Sequence, residues 1–140
     1  MKTGLDFSKI SDIVYWSKTK EAMILSGICM LKAKFLQRDK IVWSIVHKKD
    51  FKTTRSKDEN ADAFANDMLS IKGVEVAVFF REKSEKTLRV SLRSKGKINV
   101  AGIAEKFKGG GHFDMAGCFV SNNQKAIRKV LDEAKKALNQ

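Results

Sequence analysis

Apolar residues in the first third of the chain recur with the spacing of helices and then of a strand. Residues 19–35 place apolar side chains on one broad face and lysines on the other, which predicts a helix. Residues 1–17 hold enough apolar positions for one or two amphipathic turns before it. The β-branched run within 40–47 is too short for a typical helix and predicts a strand.

The middle third predicts a helix followed by two strands. Ser56 stands three residues before Glu59, so we expect a capping box to start a helix that continues to Leu69. Residues 74–80 are almost wholly apolar, which is typical of a strand buried on both faces. Residues 87–94 alternate between apolar and basic or polar positions, and the intervening turn at 84–86 predicts an antiparallel hairpin.

The last third predicts a short helix, a strand and a final helix. Asn99 can cap the short helix, residues 115–120 form the strand, and either Asn122 or Asn123 can cap the amphipathic helix after it. The predicted order is α, β, α, β, β, α, β, α. We therefore expect a single α/β domain with a mixed β-sheet of about four to five strands flanked by helices.

Composition limits the compartment and the class of partner. With 43% hydrophobic residues and no proline, the 140-residue chain has the balance of a folded domain. Its net charge of +12 favours anionic partners such as nucleic acid or nucleotide phosphate. Cys29 and Cys118 lie in apolar runs, which indicates buried thiols and a cytoplasmic location, and no apolar stretch is long enough to predict a membrane role.

Three consecutive glycines and a histidine separate the short helix from the last predicted strand. Glycine permits positive φ angles and lets backbone N–H groups approach a ligand with no Cβ between them. An adjacent imidazole can donate to a phosphate or a base edge. A plain helix C-cap would show the same glycine pattern, so this run alone leaves both interpretations open. The four residues are Gly109, Gly110, Gly111 and His112.

Positive charge is densest beside these glycines. From Arg81 to Lys108 there are nine basic and three acidic residues. Arg93 ends the alternating strand, and Ser94 and Lys95 follow it in a turn, so their donors suit anionic oxygens. Arg89 shares the strand face with Arg93, although a solvated side chain is the favoured interpretation there.

The sequence supplies little for hydrolysis or metal binding. His47 and His112 are the only histidines, and neither has a second histidine or cysteine at the spacing of metal ligands. We interpret His47, at a strand end, as a partly buried structural residue. We predict no catalytic residue, no metal ligand and no cofactor in this chain.

Several motifs resemble the DHH-associated substrate-binding domain of DHH phosphoesterases. The sequence Ser-Leu-Arg-Ser-Lys-Gly at 91–96, a short helix, the glycine loop and Ala116-Gly117 occur in the order and spacing of that family. Lys108 stands in place of the first of the family's four glycines, and Met115 in place of the first alanine of Ala-Ala-Gly. Upstream segments resemble bacterial oligoribonuclease/pAp-phosphatase members.

This resemblance implies a division of labour between two domains. Residues 1–17 would connect an absent N-terminal DHH domain, which holds two divalent ions, usually manganese, to a substrate-binding domain at 18–140. The intact protein would be a hydrolase of short RNA and of pAp (3′-phosphoadenosine 5′-phosphate). Within that protein the DHH domain would be the partner of this domain. Whether the intact protein forms a homodimer is left open by the resemblance. Single-stranded DNA, cyclic dinucleotides and polyphosphate are further substrates in the family.

The same resemblance assigns roles to the candidate residues. Arg93 and Ser94 would bind substrate phosphate, the glycines would give a close backbone approach, and His112 would contact phosphate or base. Arg89 and Lys95 are further candidates for phosphate contact.

Two other functions remain open from the sequence. The related C-terminal domain of alanyl-tRNA synthetases, which serves tRNA binding and dimerisation, shares the glycine-rich loop. The Ser-Leu-Arg-Ser strand and the connector-like residues favour the phosphoesterases over it. A basic domain with non-specific affinity for nucleic acid is the third hypothesis.

Overall fold

The helices and strands follow the predicted order, with further short elements between and before them. The computed structural model describes residues 6–140. Its helices are α1 (Phe7–Tyr15), α2 (Lys20–Lys32), α3 (Lys48–Thr54), α4 (Phe64–Leu69), α5 (Val100–Glu105) and α6 (Gln124–Leu138), with a 3₁₀ turn at Asp58–Ala61. Its strands are β1 (Lys34–Leu36), β2 (Ile41–Val46), β3 (Val76–Glu82), β4 (Thr87–Ser94), β5 (Gly110–Gly111) and β6 (Met115–Ser121).

The six strands form one mixed sheet in the order β1-β2-β3-β4-β6-β5. Only β2 and β3 run parallel, and the crossover between them contains α3, the 3₁₀ turn and α4. The other neighbouring pairs are antiparallel, and β3 and β4 form the predicted hairpin. The expected mixed sheet flanked by helices is confirmed, with six strands rather than four to five.

Strand β4 divides its side chains between the two faces of the sheet as its alternation predicts. Leu88, Val90 and Leu92 are fully buried in the core that α5 and α6 cover. On the opposite face, Ala77 and Phe79 of β3 belong to a second core with α2 and α4. Strand β3 is therefore buried on both faces, which explains its continuous apolar run.

Side-chain caps begin three of the helices, two of them at asparagines predicted as caps. The side-chain oxygens of Thr19, Asn99 and Asn123 each accept a backbone N–H from three residues later, at 3.1, 3.2 and 2.8 Å. Each contact satisfies one of the N–H groups that a helix leaves unpaired at its start. Of the two asparagines proposed for α6, Asn123 is the cap.

The first long helix ends earlier than its apolar pattern predicts. Helix α2 stops at Lys32, and Phe35 lies in β1, where it pairs with Val42 of β2. A tight turn of residues 37–39, with φ angles of 53°, 55° and 64°, returns the chain into β2. Strand pairing at the sheet edge therefore overrides the helical period in these residues.

The predicted capping role of Ser56 is wrong. Its hydroxyl donates to the carbonyl oxygen of Glu21 at 3.1 Å and lies 2.6 Å from the Thr54 hydroxyl, so it ties this segment to α2. The 3₁₀ turn instead begins after Lys57, whose N–H donates to the Asn60 side chain at 2.7 Å. A tertiary contact thus uses the hydroxyl that local capping would need.

Helix α3 was not predicted because its apolar content is too low to show a period. Phe51 is the one large apolar residue in its seven positions. The helix is held at its start by Asp50, whose carboxylate accepts the His47 backbone N–H at 2.8 Å and pairs with Lys32 at 2.6 Å. His47 is partly buried beside these groups, as predicted.

Helix α1 lies in the segment predicted to connect two domains. It begins after Asp6, whose carboxylate accepts the backbone N–H groups of Ser8 and Lys9. Residues 1–5 of that segment lie outside the described part of the chain. No helix within residues 6–140 is long and apolar enough to cross a membrane.

The α2–α4 face of the sheet is only half covered by helices in the described chain. The helices pack on β2 and β3, whereas β6 on the same face presents Met115 at 45% exposure and Phe119 at 62%. Arg89 of β4 is exposed beside them. We call this area, formed by Arg89, Arg93, Met115, Gly117 and Phe119, the open half-face.

Candidate anion-binding site

Register across β4 and β6 places the predicted basic residues on the open half-face. Arg93 pairs with Met115, and Arg89 pairs with Phe119 two steps along the ladder. Side chains of directly opposed residues lie on the same side of a sheet and in contact range. The face therefore combines two guanidinium groups with two exposed apolar side chains.

Arg93 is held by backbone carbonyl groups rather than by an acid. Its Nη1 donates to the carbonyl oxygens of Leu92 at 3.0 Å and Ala116 at 3.5 Å. Its Nε is buried, with no hydrogen-bond partner among residues 6–140, and no ion pair found within those residues includes Arg93. A partly buried cation that no carboxylate neutralises within the described residues favours an external anion.

The electrostatic surroundings of Arg93 support the same interpretation. Desolvation by burial lowers the pKa of Arg93 from its ordinary value, and the positive charge of Arg89 lowers it further, while Asp114 opposes the change. An arginine stays charged in proteins despite such effects. A bound anion would therefore offset the lost hydration of Arg93 and reduce the repulsion between the two guanidinium groups.

Ser94 and Lys95 use their polar groups within the chain. The buried Ser94 hydroxyl donates to the carbonyl oxygen of Ile98 at 2.6 Å and accepts the Gly96 N–H at 3.4 Å. Lys95 Nζ donates to the carbonyl oxygen of Ile71, in the segment between α4 and β3, at 3.3 Å. Both contacts shape the turn after β4, and the phosphate-binding roles of the two side chains stay predictions.

The three glycines differ in what surrounds them. A Cβ on Gly109 would lie 2.1 Å from the carbonyl oxygen of Gly117, and one on Gly111 would lie 2.6 Å from that of Met115. Gly111 also has a φ of +144°, which strains other residues. A Cβ on Gly110 would meet no other atom within 4 Å. Gly109 and Gly111 thus allow β5 to pack against β6, while Gly110 leaves open space for a ligand.

His112 closes the tight turn between β5 and β6. Its backbone N–H donates to Met115 O at 2.7 Å, and Met115 N–H donates back to His112 O at 3.3 Å. The same loop is tied to β4 because Ser94 N–H donates to Asp114 O at 3.0 Å. The His112 side chain is exposed, so its ring is accessible to solvent and to a ligand.

Lys108 occupies a backbone conformation that favours glycine. Its φ is +64°, in the left-handed region. Gly109 N–H, one residue later, donates to the carbonyl oxygen of Ala104 at 2.9 Å and so closes the end of α5. The glycine-loop geometry is therefore retained although lysine stands at this position.

A cleft of about 570 Å³ lies beside the glycine loop. It brings together Arg89, Gly109 and Gly110, whereas Arg93, Ser94, Lys95, Gly111 and His112 do not line it. Phe107, Lys108 and Phe119 also line the cleft, and the sequence analysis did not identify them as site residues. The two-residue period of β6 could have placed Phe119 beside Arg89 had the register been known. The cleft is lined by Arg89, Phe107, Lys108, Gly109, Gly110, Gly117, Cys118 and Phe119.

The two cysteines and the acidic residues form no metal site in the described chain. Within residues 6–140 no three His, Cys, Asp or Glu side chains are grouped to hold an ion. Cys29 and Cys118 are buried and unlinked, and burial raises the pKa of the Cys118 thiol to about 11. A thiol with a raised pKa is a poor nucleophile near neutral pH.

Comparison with known protein families decides the relationship. Residues 40–140 match the model of the DHHA1 domain, which covers more than half of the chain. The chain belongs to the DHHA1 domain family. That match includes the open half-face, Arg93 and the glycine loop, and it confirms the resemblance to the DHH-associated domain.

Relatives with assigned activities are DHH-family phosphoesterases. A bifunctional oligoribonuclease and PAP phosphatase of Mycoplasma genitalium is 32% identical over 102 residues, which cover 73% of this chain and 31% of that protein. A cyclic-di-AMP phosphodiesterase of Bacillus subtilis is 28% identical over 113 residues, covering 71% and 17% respectively. The chain thus spans a third or less of each relative's length.

A solved structure shows the same fold. The crystal structure of an exopolyphosphatase-related protein from Bacteroides fragilis superposes with a TM-score of 0.85 and 27% identity. The match covers 95% of this chain and 39% of that one. The fold described above is therefore shared over 95% of this chain.

Proposed function

We propose that this chain is the substrate-binding domain of a DHH-family phosphoesterase and holds short RNA or nucleotide phosphates, including pAp. The observation that supports this most is Arg93, a partly buried guanidinium that is bound to backbone carbonyl groups and has no ion pair within residues 6–140. A phosphate oxygen is a suitable partner because charged hydrogen bonds from arginine to phosphate are short and strong.

The rest of the open half-face suits the other parts of a nucleotide. Phe119 is exposed beside Arg89, so a base can stack on its ring, and such stacking is worth about 1–3 kcal/mol per base. Gly110 leaves room for sugar or phosphate to approach the backbone. His112, exposed at the end of the loop, offers a ring nitrogen to phosphate or base.

In this proposal the chain's own residues bind and position the substrate, and a DHH domain supplies hydrolysis. The two manganese ions that the family implies need a cluster of carboxylate and histidine ligands, and the residues in 6–140 do not provide one. Metal-dependent cleavage therefore belongs to a DHH domain. We infer that such a domain is the partner that closes over the open half-face and its exposed Met115 and Phe119.

A length series of ligands tests this proposal. The 140-residue chain is titrated with di- to pentaribonucleotides, pAp and a tRNA at two salt concentrations. We expect pAp and the shortest RNAs to bind at least as tightly as the pentamer, because one phosphate site is used. Incubation with Mn²⁺ should give no hydrolysis by the chain alone.

Other results would contradict the proposal. Affinity that rises with each added phosphate and disappears at the higher salt concentration would indicate non-specific nucleic-acid binding. Strong preference for tRNA would support the function related to alanyl-tRNA synthetases. Turnover of RNA by this chain with Mn²⁺ would contradict the division of labour.

A further inference from the structure

A second concave surface opens between α3 and the end of β3, away from the glycine loop. Its volume is about 960 Å³, which is within the range of small-molecule sites. We call it the α3 cavity. Its polar lining is dominated by five cationic side chains: Lys48, Lys49, Lys52, Arg55 and Lys83.

The two carboxylates in the lining are already committed to other partners. Asp58 accepts from Arg81 Nη1 at 3.1 Å and from Lys83 Nζ at 3.0 Å. Glu82 accepts the Lys48 backbone N–H at 2.9 Å and the Asn122 side chain at 2.8 Å. Neither carboxylate forms an ion pair with the α3 lysine side chains in the described chain.

Asp50, the acidic residue within α3, is also committed. Its carboxylate is bound to Lys32 at 2.6 Å and to the His47 backbone N–H at 2.8 Å, and its side chain is only 11% exposed. It therefore caps the helix from the inside instead of pairing with the cations on the outer surface. Of the five cations in the cavity, only Lys83 has an ion pair among the described residues.

The remaining four cations crowd one short helix and its end. Lys48 and Lys52 are four residues apart, and Lys49 and Lys52 are three apart, so like charges lie side by side on α3. Arg55 follows in a left-handed conformation with φ of 58°. Such repulsion destabilises the helix, and none of these four side chains forms an ion pair within residues 6–140, which favours an external anion that contacts them.

We propose that the α3 cavity binds the phosphate chain of an oligophosphate, either inorganic or part of a nucleoside triphosphate. Lysines act as point charges for phosphate oxygens, and here cations from α3 and from the end of β3 converge on one concavity. The one aromatic residue in the lining, Phe51, is partly buried against the α2–α4 core. It offers no stacking platform of the kind that extended single-stranded nucleic acid uses.

Titration of the chain with sodium tripolyphosphate and with ATP tests the proposal. The variant is Lys48→Ala/Lys52→Ala, and the matched control is Lys125→Ala/Lys129→Ala, which removes two exposed lysines at the same spacing from α6. We expect micromolar-range binding at physiological salt, at least a tenfold loss in the α3 variant, and less than a twofold change in the control. A thermal melt verifies that both variants fold.

NMR amide shifts locate the ligand. We expect tripolyphosphate to shift residues 48–55 and Lys83 in the wild-type chain. Tighter binding of tripolyphosphate supports an inorganic source, and tighter binding of ATP supports a nucleotide. The proposal would be overturned if both double-lysine variants lost the same affinity, or if the wild-type chain did not bind at physiological salt. It would also be overturned if Arg93→Ala lost as much affinity as the α3 variant. Displacement of tripolyphosphate from residues 48–55 by an RNA tetramer without terminal phosphates would overturn the proposal as well.

Discussion

Arg93 on β4 reaches across the ladder to the segment that follows the glycine loop, where its Nη1 lies 3.5 Å from the carbonyl oxygen of Ala116. Ala116 in turn pairs with Gly111 of β5. The guanidinium and the loop are thus connected through one strand. An anion held by Arg93 and a group held at Gly110 can therefore belong to the same ligand.

Gly109→Ala should destabilise the fold. The added methyl group would lie 2.1 Å from the carbonyl oxygen of Gly117 and 2.6 Å from Cys118 Cβ, so β5 must move away from β6. Overpacking of this kind costs about 1–3 kcal/mol. Urea unfolding measures the loss, with Gly110→Ala as the control, since its methyl group meets no such atom within 4 Å. Equal unfolding free energies for the two variants would contradict the close packing of β5.

Lys108→Gly should stabilise the protein. At φ +64° a lysine bears a steric cost of about 1 kcal/mol that glycine does not. Lys108→Ala is the control, because it removes the same side chain but keeps the Cβ. We expect an increase in melting temperature for the glycine variant only. A rise in both would show that the lysine charge, and not the backbone conformation, is unfavourable.

The main elements of the fold could be predicted because each has its own periodicity or cap. Strand β4 alternates, β3 is apolar from Val76 to Phe80, and Asn99 and Asn123 mark helix starts. The short elements could not be predicted. Phe35 fits the α2 pattern until pairing with Val42 places it in a strand, and the Ser56 hydroxyl is used by a contact with α2 that lies outside any local window.

The candidate site was predictable in its motifs but not in its arrangement. The glycine loop and the basic strand are visible in the sequence, whereas the contribution of Phe119 depends on the register between β4 and β6. Ser94 is likewise buried because the chain turns after β4 and brings the Ile98 carbonyl oxygen to its hydroxyl. Residue types indicate which chemistry is present, and tertiary pairing determines which groups meet.

Stability at low pH should depend on Asp50. Burial raises the pKa of Asp50, but hydrogen bonds from Lys32 and the His47 backbone outweigh it and hold the pKa below the ordinary value of 3.8. The stabilisation is therefore complete above about pH 4 and is lost as the pH falls through the lower folded-state pKa.

Asp50→Asn is the variant that tests this dependence. It should lower the unfolding free energy by about 1–3 kcal/mol at neutral pH, because it removes charged hydrogen bonds. It should also flatten the loss of stability below pH 4. Unfolding curves at several pH values measure both effects. If the unfolding free energy of the variant falls below pH 4 as steeply as that of the wild type, other carboxylates cause the acid sensitivity.

His112→Ala should weaken binding without destabilising the fold. The imidazole is exposed, and the contacts that close its turn are made by its backbone. Loss of one hydrogen bond to a charged phosphate reduces the binding free energy by about 1.5–3 kcal/mol. Calorimetric titration with a short RNA and a thermal melt separate the two effects. Wild-type affinity in this variant would remove His112 from the site.

The affinity of Arg93 variants for pAp shows whether Arg93 binds the substrate phosphate. Calorimetry at one salt concentration compares the wild-type chain with Arg93→Ala, Arg93→Lys and Arg128→Ala, the last removing an exposed guanidinium from α6. We expect Arg93→Ala to weaken binding by about 1.5–3 kcal/mol, roughly ten- to hundredfold, with Arg93→Lys intermediate and Arg128→Ala within twofold of wild type. Wild-type affinity in Arg93→Ala, or an equal loss in Arg128→Ala, would contradict this expectation.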